Sequence, residues 1–208
     1  MPKILTLEEI QCFRNRMCDF ALLSFGKHGV EGISLRGLAA DLNCSRTTPY
    51  RYFKNKAEIL AALRQREYGR IADTLEAAVA QESQNSKQLE ALLRAYLQFA
   101  MQYPDSYRVM YNVLQANAAE YIELEAEILR SAQPMRQVVN SLVQAGTVFG
   151  DPAHIFYVLW AGLHGLISLH LAHLIRNNRD FDELSAVMTR SLIRAVSADT
   201  SNTGEAIR

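Results

Sequence analysis

From Leu7 to Ser197 the chain repeats its apolar residues every three to four positions, and no stretch of any length alternates residue by residue. That spacing puts apolar side chains on one face of a helix and leaves nothing from which to build a sheet. Glycine and proline fall mostly between the periodic runs. The fold class this dictates is all-α, and no internal repeat divides it. With 208 residues, 49% of them hydrophobic, the chain buries a core without needing disulfide or metal staples.

The first helix is expected over Leu7–His28, capped by Thr6 with Glu8 and Glu9 at its positive end, and leaving at Gly26 and Gly29. Ile10, Phe13, Met17, Phe20, Ala21 and Phe25 form its apolar stripe. Ser34 caps a short helix, Leu35–Leu42, and Asn43-Cys44 makes a tight turn. Ser45 then caps a second short helix, Arg46–Phe53. Asn55, with Glu58 three residues on, opens a longer helix that runs to about Gln81. Further helices are expected at Lys87–Gln102, Pro104–Gln115, Ala118–Ala145, Pro152–Arg176 and Asp182–Ser197, and the small polar tail 198–208 reads as disordered.

Two short helices joined by a tight turn and braced by a longer one follow the helix-turn-helix plan, in which the second short helix enters the major groove. Charge supports this reading. The chain is neutral overall, but residues 1–70 hold twelve Lys/Arg against seven Asp/Glu, a net +5, and the remainder carries −5. A basic module joined to an acidic one fits a polyanion reader attached to something else. Phe53 should point inward, leaving Arg46, Thr47, Thr48, Tyr50 and Arg51 to face out. Arginine forks onto guanine, threonine offers a hydroxyl and a methyl to base edges, and tyrosine and lysine hold phosphates. Lys54 and Lys56 flank the next helix start, and Pro49 sits about one turn in, where its missing N–H costs little.

The stretch Phe20–Leu60, FALLSFGKHGVEGISLRGLAADLNCSRTTPYRYFKNKAEIL, closely resembles the amino-terminal module of the tetracycline-repressor-like (TetR/AcrR) regulators. The likeness rests on the aromatic-Gly-x-x-Gly exit of the first helix and on Ser34-Leu35-Arg36-x-Leu38-Ala39. Its most specific part is Tyr50-Arg51-Tyr52-Phe53-Lys54-Asn55-Lys56 with Glu58 and Leu60. The resemblance implies that Ser34 caps a helix and touches phosphate and that Arg36, Arg46 and Thr47 reach bases. It implies that Thr48, Tyr50, Tyr52 and Lys56 mainly hold phosphates. The sequence departs from the family at Pro49, usually Leu, and at Asn43-Cys44, usually Gly-Val.

The implied organisation is a DNA-binding domain over 7–68 and a ligand-binding and dimerisation domain over 69–197. A small reading head touches few base pairs, and a homodimer places two heads about one DNA turn apart. The last two helices suit that seam. Ala161, Gly165, Ser168 and Ala172 form a smooth stripe, and Leu184, Val187, Met188, Ser191, Leu192 and Ala195 a matching face. Trp160-x-x-x-His164-Gly165 resembles the Trp-His-Gly signature of one carboxy-terminal type within the family. Phe99, Tyr103, Tyr107, Met110, Tyr111 and Met135, with Trp160 and His164 on a far wall, are the expected lining of an adaptable pocket for a small, largely apolar or aromatic molecule.

Other classes find little support. There is no glycine-rich phosphate loop and no Gly-x-Ser-x-Gly elbow, so no catalytic residues and no enzyme activity are expected. His170 and His173 lie within about 60° of each other on a helix, but His164 lies near the opposite side from His173, and Cys12, Cys18 and Cys44 lie in the other module, so neither metal nor cofactor is expected. The odd cysteine count and the lack of a charged-then-apolar leader fit a cytoplasmic protein, and the family resemblance implies a bacterial one. Ile155–Ile175 is uncharged and long enough to span a bilayer, but His164, Ser168, His170 and His173 are costly there, and a buried bundle helix reads the same way. The expected partners are double-stranded operator DNA, a small effector and a second copy of the chain.

Overall fold

The computed structural model describes residues 6–111, 120–176 and 180–197. These contain α1 (Leu7–His28), α2 (Leu35–Asp41), α3 (Lys56–Ala80), α4 (Asn85–Gln102), α5 (Pro104–Tyr111), α6 (Ile122–Gln144), α7 (Pro152–Leu171) and α8 (Phe181–Ser197), with no strand among the described residues. The all-α class holds. The tail expected over 198–208, and the expected helix ends within 112–119, lie outside the described residues. The described chain forms two compact units: 6–69 with 105–111 and 120–128, and 70–104 with 129–176 and 180–197.

The linear division at residues 68 and 69 is therefore crossed by a returning segment. Its cause lies in α5. Val109 is fully buried in the core made by Met17, Phe25, Leu38, Phe53, Ile59 and Leu63. The Met110 carbonyl accepts from Arg64 Nη2 and from the Tyr68 hydroxyl, both at 3.2 Å. The apolar period of a short helix does not say which core it joins.

In the first unit, α1 opens on a reciprocal cap: Glu9 N–H donates to Thr6 Oγ1 at 3.1 Å, and Thr6 N–H to Glu9 Oε2 at 2.9 Å. It closes at Gly29, whose φ is 65°. At the end of α2, Asn43 takes φ 50°. Its N–H bonds Ala40 O and that of Cys44 bonds Ala39 O, both at 3.0 Å, a Schellman closure that fixes the turn.

The second short helix is not the α-helix expected over Arg46–Phe53. Only Pro49–Arg51 is helical there, wound as a 3₁₀ turn. An α-turn needs the N–H of residue 49 for the Ser45 carbonyl, and proline has none. That carbonyl takes Thr48 N–H at 2.9 Å instead, and Arg51 and Tyr52 repeat the shorter spacing onto Thr48 and Pro49. Phe53 N–H, bonded to Pro49 O at 3.0 Å, recovers the wider spacing. Pro49 itself is buried.

In the second unit the buried positions of α4 (Leu89, Leu92, Leu93, Tyr96, Phe99, Ala100) recur at helical spacing. α6 runs through Pro134, which the periodic reading passed over. Arg130 clamps Glu76 of α3 with two bonds, 2.9 and 2.6 Å. α7 starts at the Asp151 cap and ends at Leu171 rather than Arg176. His173 there turns to φ 55° and, with Leu174, closes the helix back onto His170 and Leu169. A Cβ added at Gly162 would lie 2.9 Å from Leu192 Cδ2, so this glycine lets α7 and α8 approach closely.

Candidate functional site

The reading surface is built on an apolar back. Phe53 is 1% exposed and seats the segment on the core, with the Arg14 guanidinium 4.2 Å over its ring. Arg14 Nη1 also donates to the Tyr52 carbonyl at 2.6 Å, and the Tyr52 ring stacks on Phe13 at 4.4 Å. This brace from α1 carries no sequence motif and was not foreseen. Ser45 Oγ lies 3.0 Å from Thr47 Oγ1 and 2.8 Å from Thr48 Oγ1, so the three hydroxyls order one another.

The face so held is basic. Arg36, in the first turn of α2, and Arg46, Thr47, Tyr50, Arg51 and Lys54 are exposed, while Thr48, Tyr52 and Lys56 are half-buried. Ser34 caps α2 by accepting from Gly37 N–H at 3.0 Å. Lys56 Nζ reaches Glu31 at 3.4 Å, so its charge is shared before any phosphate arrives. At the start of α3, Asn55 Oδ1 accepts from Glu58 N–H at 2.9 Å, and the Glu58 carboxylate accepts from Lys54 N–H at 2.6 Å. The cap is as expected, except that Glu58 reaches one residue beyond Asn55. Below the face, burial pushes the Cys18 thiol up to about 11, against the pull of Arg66 and Arg14.

Of the eight residues expected to line an effector pocket, three lie in the first unit and five in the second. In the first unit, Tyr107 and Met110 are buried, and Tyr111 meets the rings of Tyr107 and Tyr68 at 4.8 and 5.9 Å. In the second, Phe99 and Met135 are buried, and Tyr103 lies between Phe99, at 5.4 Å, and the Arg70 guanidinium, at 4.8 Å. Trp160 Nε1 donates to the Tyr96 hydroxyl at 3.0 Å. His164 lies 6.1 Å from the Trp160 ring and 3.3 Å from Ser168 Oγ. Burial lowers its pKa, which favours the neutral ring. A half-open cavity of about 1050 Å³ lies elsewhere in this unit, between α4 and α8, and none of the eight lines it. Among the described residues no group of three His, Cys, Asp or Glu is placed to hold a metal ion.

The seam residues fall on two sides of their helices. Ala161 and Ala172 are exposed, and a Cβ built on Gly165 meets nothing within 4 Å. Val158, 51% exposed, and Leu169, 49% exposed, continue this outward stripe. They escaped the sequence reading because it looked for small residues alone. Ser168 is half-buried on the stripe's edge. On α8, Val187, Ser191 and Ala195 are exposed and Leu184 and Met188 half-buried, while Leu192 is spent inside its own chain against Gly162.

A braced helix-turn-helix with an exposed arginine, threonine and tyrosine edge defines a DNA-binding regulator of the helix-turn-helix class. Residues 19–63 match the bacterial regulatory proteins of the tetR family, and residues 89–192 match the tetracyclin repressor-like carboxy-terminal domain. The chain belongs to the TetR family and is a transcriptional regulator with an amino-terminal DNA-binding domain.

Among solved structures, a protein of unknown function from Rhodococcus sp. RHA1 is similar at 26% identity with a TM-score of 0.79, over 89% of this chain and 95% of that one. A tetR-family regulatory protein from Rhodococcus RHA1 is similar at 17% and 0.72, over 89% and 98%. FadR from Bacillus subtilis in complex with stearoyl-CoA is similar at 15% and 0.72, over 86% and 97%. These last two likenesses are of fold. No curated protein matches.

Proposed function

We propose that this regulator is a cytoplasmic repressor that binds a palindromic operator as a homodimer and leaves it when a small, largely apolar or aromatic effector binds the carboxy-terminal helices. The observation that carries the DNA part is the exposed set Arg36, Arg46, Thr47, Tyr50 and Arg51 on a segment whose other side is pinned by Phe53 and Arg14. Rigid presentation of forked donors is what base readout requires. The dimer rests on the outward apolar stripe of α7 with the adjoining face of α8. A stripe ending at Leu169 and Ala172, smooth at Gly165, suits a second copy of itself about a two-fold axis.

α7 is long and apolar enough to cross a membrane, with mean hydropathy 1.3, and only 33% of that window is buried. Val158, Ala161, Leu169 and Ala172 are exposed on one side, and Ile155, Phe156, Leu159, Leu163, Leu166 and Ile167 are buried on the other, which favours a protein seam over a lipid surface on all sides.

The test is fluorescence anisotropy on an operator obtained by selection from random duplexes, read across a salt series. Binding should fall with salt as phosphate contacts predict. Arg46→Ala and Arg36→Ala should relax base preference by about 1–3 kcal/mol at particular positions. Lys56→Ala should weaken all sequences alike. Equal losses on every sequence from all three variants sink the base-reading assignment. A monomer that ignores duplex DNA at low salt sinks the proposal as a whole.

A further inference from the structure

The cavity between α4 and α8 joins an apolar floor to a cationic rim. Leu97 is buried at its wall, and Met101, Phe181 and Ile193 are half-buried there. Arg94, Arg190 and Arg194 also line it and are exposed. Arg94 is held by Glu90 at 2.9 Å. Arg190 and Arg194 have no ion-pair partner among the described residues, and their spacing of four puts both on one side of α8. Ser185 Oγ is buried at the same wall with no hydrogen-bond partner among the described residues. Unpaired guanidinium groups at the edge of an apolar groove are the complement of an oxygen-bearing anion.

Charge narrows the class. Against the three arginines the lining sets two carboxylates, Glu90 and Asp182, leaving one net positive charge. That matches one carboxylate and not a polyphosphate. The volume of about 1050 Å³ accommodates a drug-sized body on the apolar floor. On a helix of 3.6 residues per turn, Ser185, Thr189 and Ile193 lie about half a turn from Val187, Ser191 and Ala195, while Arg190 and Arg194 adjoin that face.

We propose that this groove binds an amphipathic carboxylate, with a medium-length alkyl body on Leu97, Met101, Phe181 and Ile193 and its carboxylate forked by Arg190 and Arg194. As an effector site it rests on the regulator reading above, so binding and operator release are measured separately.

Titration calorimetry of the full chain with decanoate, 1-decanol and decyltrimethylammonium tests it. Decanoate should bind once per chain, at least about tenfold tighter than 1-decanol, the margin a charge-assisted fork supplies, and the ammonium should bind more weakly still. The double variant Arg190→Gln/Arg194→Gln, checked for unchanged thermal unfolding, should lose that tenfold for decanoate and keep its affinity for 1-decanol. Ile193→Gln should weaken both. Equal binding of acid and alcohol, or undiminished decanoate binding by the double variant, overturns the site. Operator occupancy is followed in parallel by anisotropy. Decanoate that binds as described without releasing the operator leaves the carboxylate site standing and removes its effector role. Salt-dependent operator binding with no decanoate binding overturns the site and leaves the regulator reading intact.

Discussion

Arg14 sits in the first helix, 38 residues before the backbone oxygen it holds. Its guanidinium caps the Phe53 ring, takes the Tyr52 carbonyl and approaches Glu58 at 4.0 Å. Truncating it removes one charge-assisted hydrogen bond and one cation–π contact. Arg14→Ala should therefore cost about 1–3 kcal/mol in urea unfolding and weaken DNA binding on all sequences. An unchanged unfolding midpoint would show the brace to be idle. His164 gives a pH signature of definite sign. Its folded pKa lies below the ordinary value, so the unfolded chain takes up the proton first. Stability should hold above pH 7 and decline as pH falls through the ordinary histidine range near about 6.5. His164→Gln should flatten that part of the curve in denaturant midpoints taken between pH 5 and 8.

At the scale of elements, the turn between α2 and the reading segment depends on Asn43 at φ 50°. A side chain without asparagine's tolerance for that region costs about 1 kcal/mol there. Asn43→Ala should lower stability by about that amount and Asn43→Gly should not, as thermal melts of the two variants would establish. Helix starts were legible in the sequence where a side chain satisfies free N–H groups. Thr6 with Glu9, Ser34 and Asn55 all act as read. Helix ends were less so, because His173 carries no mark of its left-handed turn and Pro49 was read for its missing N–H rather than as a change of winding. The pocket residues were ambiguous for a related reason. Aromatic and methionine residues at helical spacing suit a core as well as a cavity, and Phe99, Tyr107, Met110 and Met135 are buried. The groove between α4 and α8 is rimmed by arginines, which in sequence look like an ordinary solvated face.

Across the whole molecule, two glycines three residues apart serve different surfaces. Gly162 faces Leu192, and a methyl group there must displace the buried Leu192 side chain. Gly162→Ala should cost about 1–3 kcal/mol of subunit stability. A Cβ at Gly165 meets nothing within 4 Å among the described residues, so Gly165→Arg should melt like the parent yet sediment as a monomer and lose operator affinity. A Gly165→Arg protein that stays dimeric removes α7 from the seam. The short winding at Pro49–Arg51 has a further consequence. A head that touches DNA through so brief a turn spells out few letters, and a half-site that short recurs by chance many times among the roughly 10⁶ or more competing sites of a genome. In the proposed two-headed assembly, what distinguishes the true address is then less the wording than the interval at which it is repeated, and a change in that interval should silence the protein without altering a single base contact.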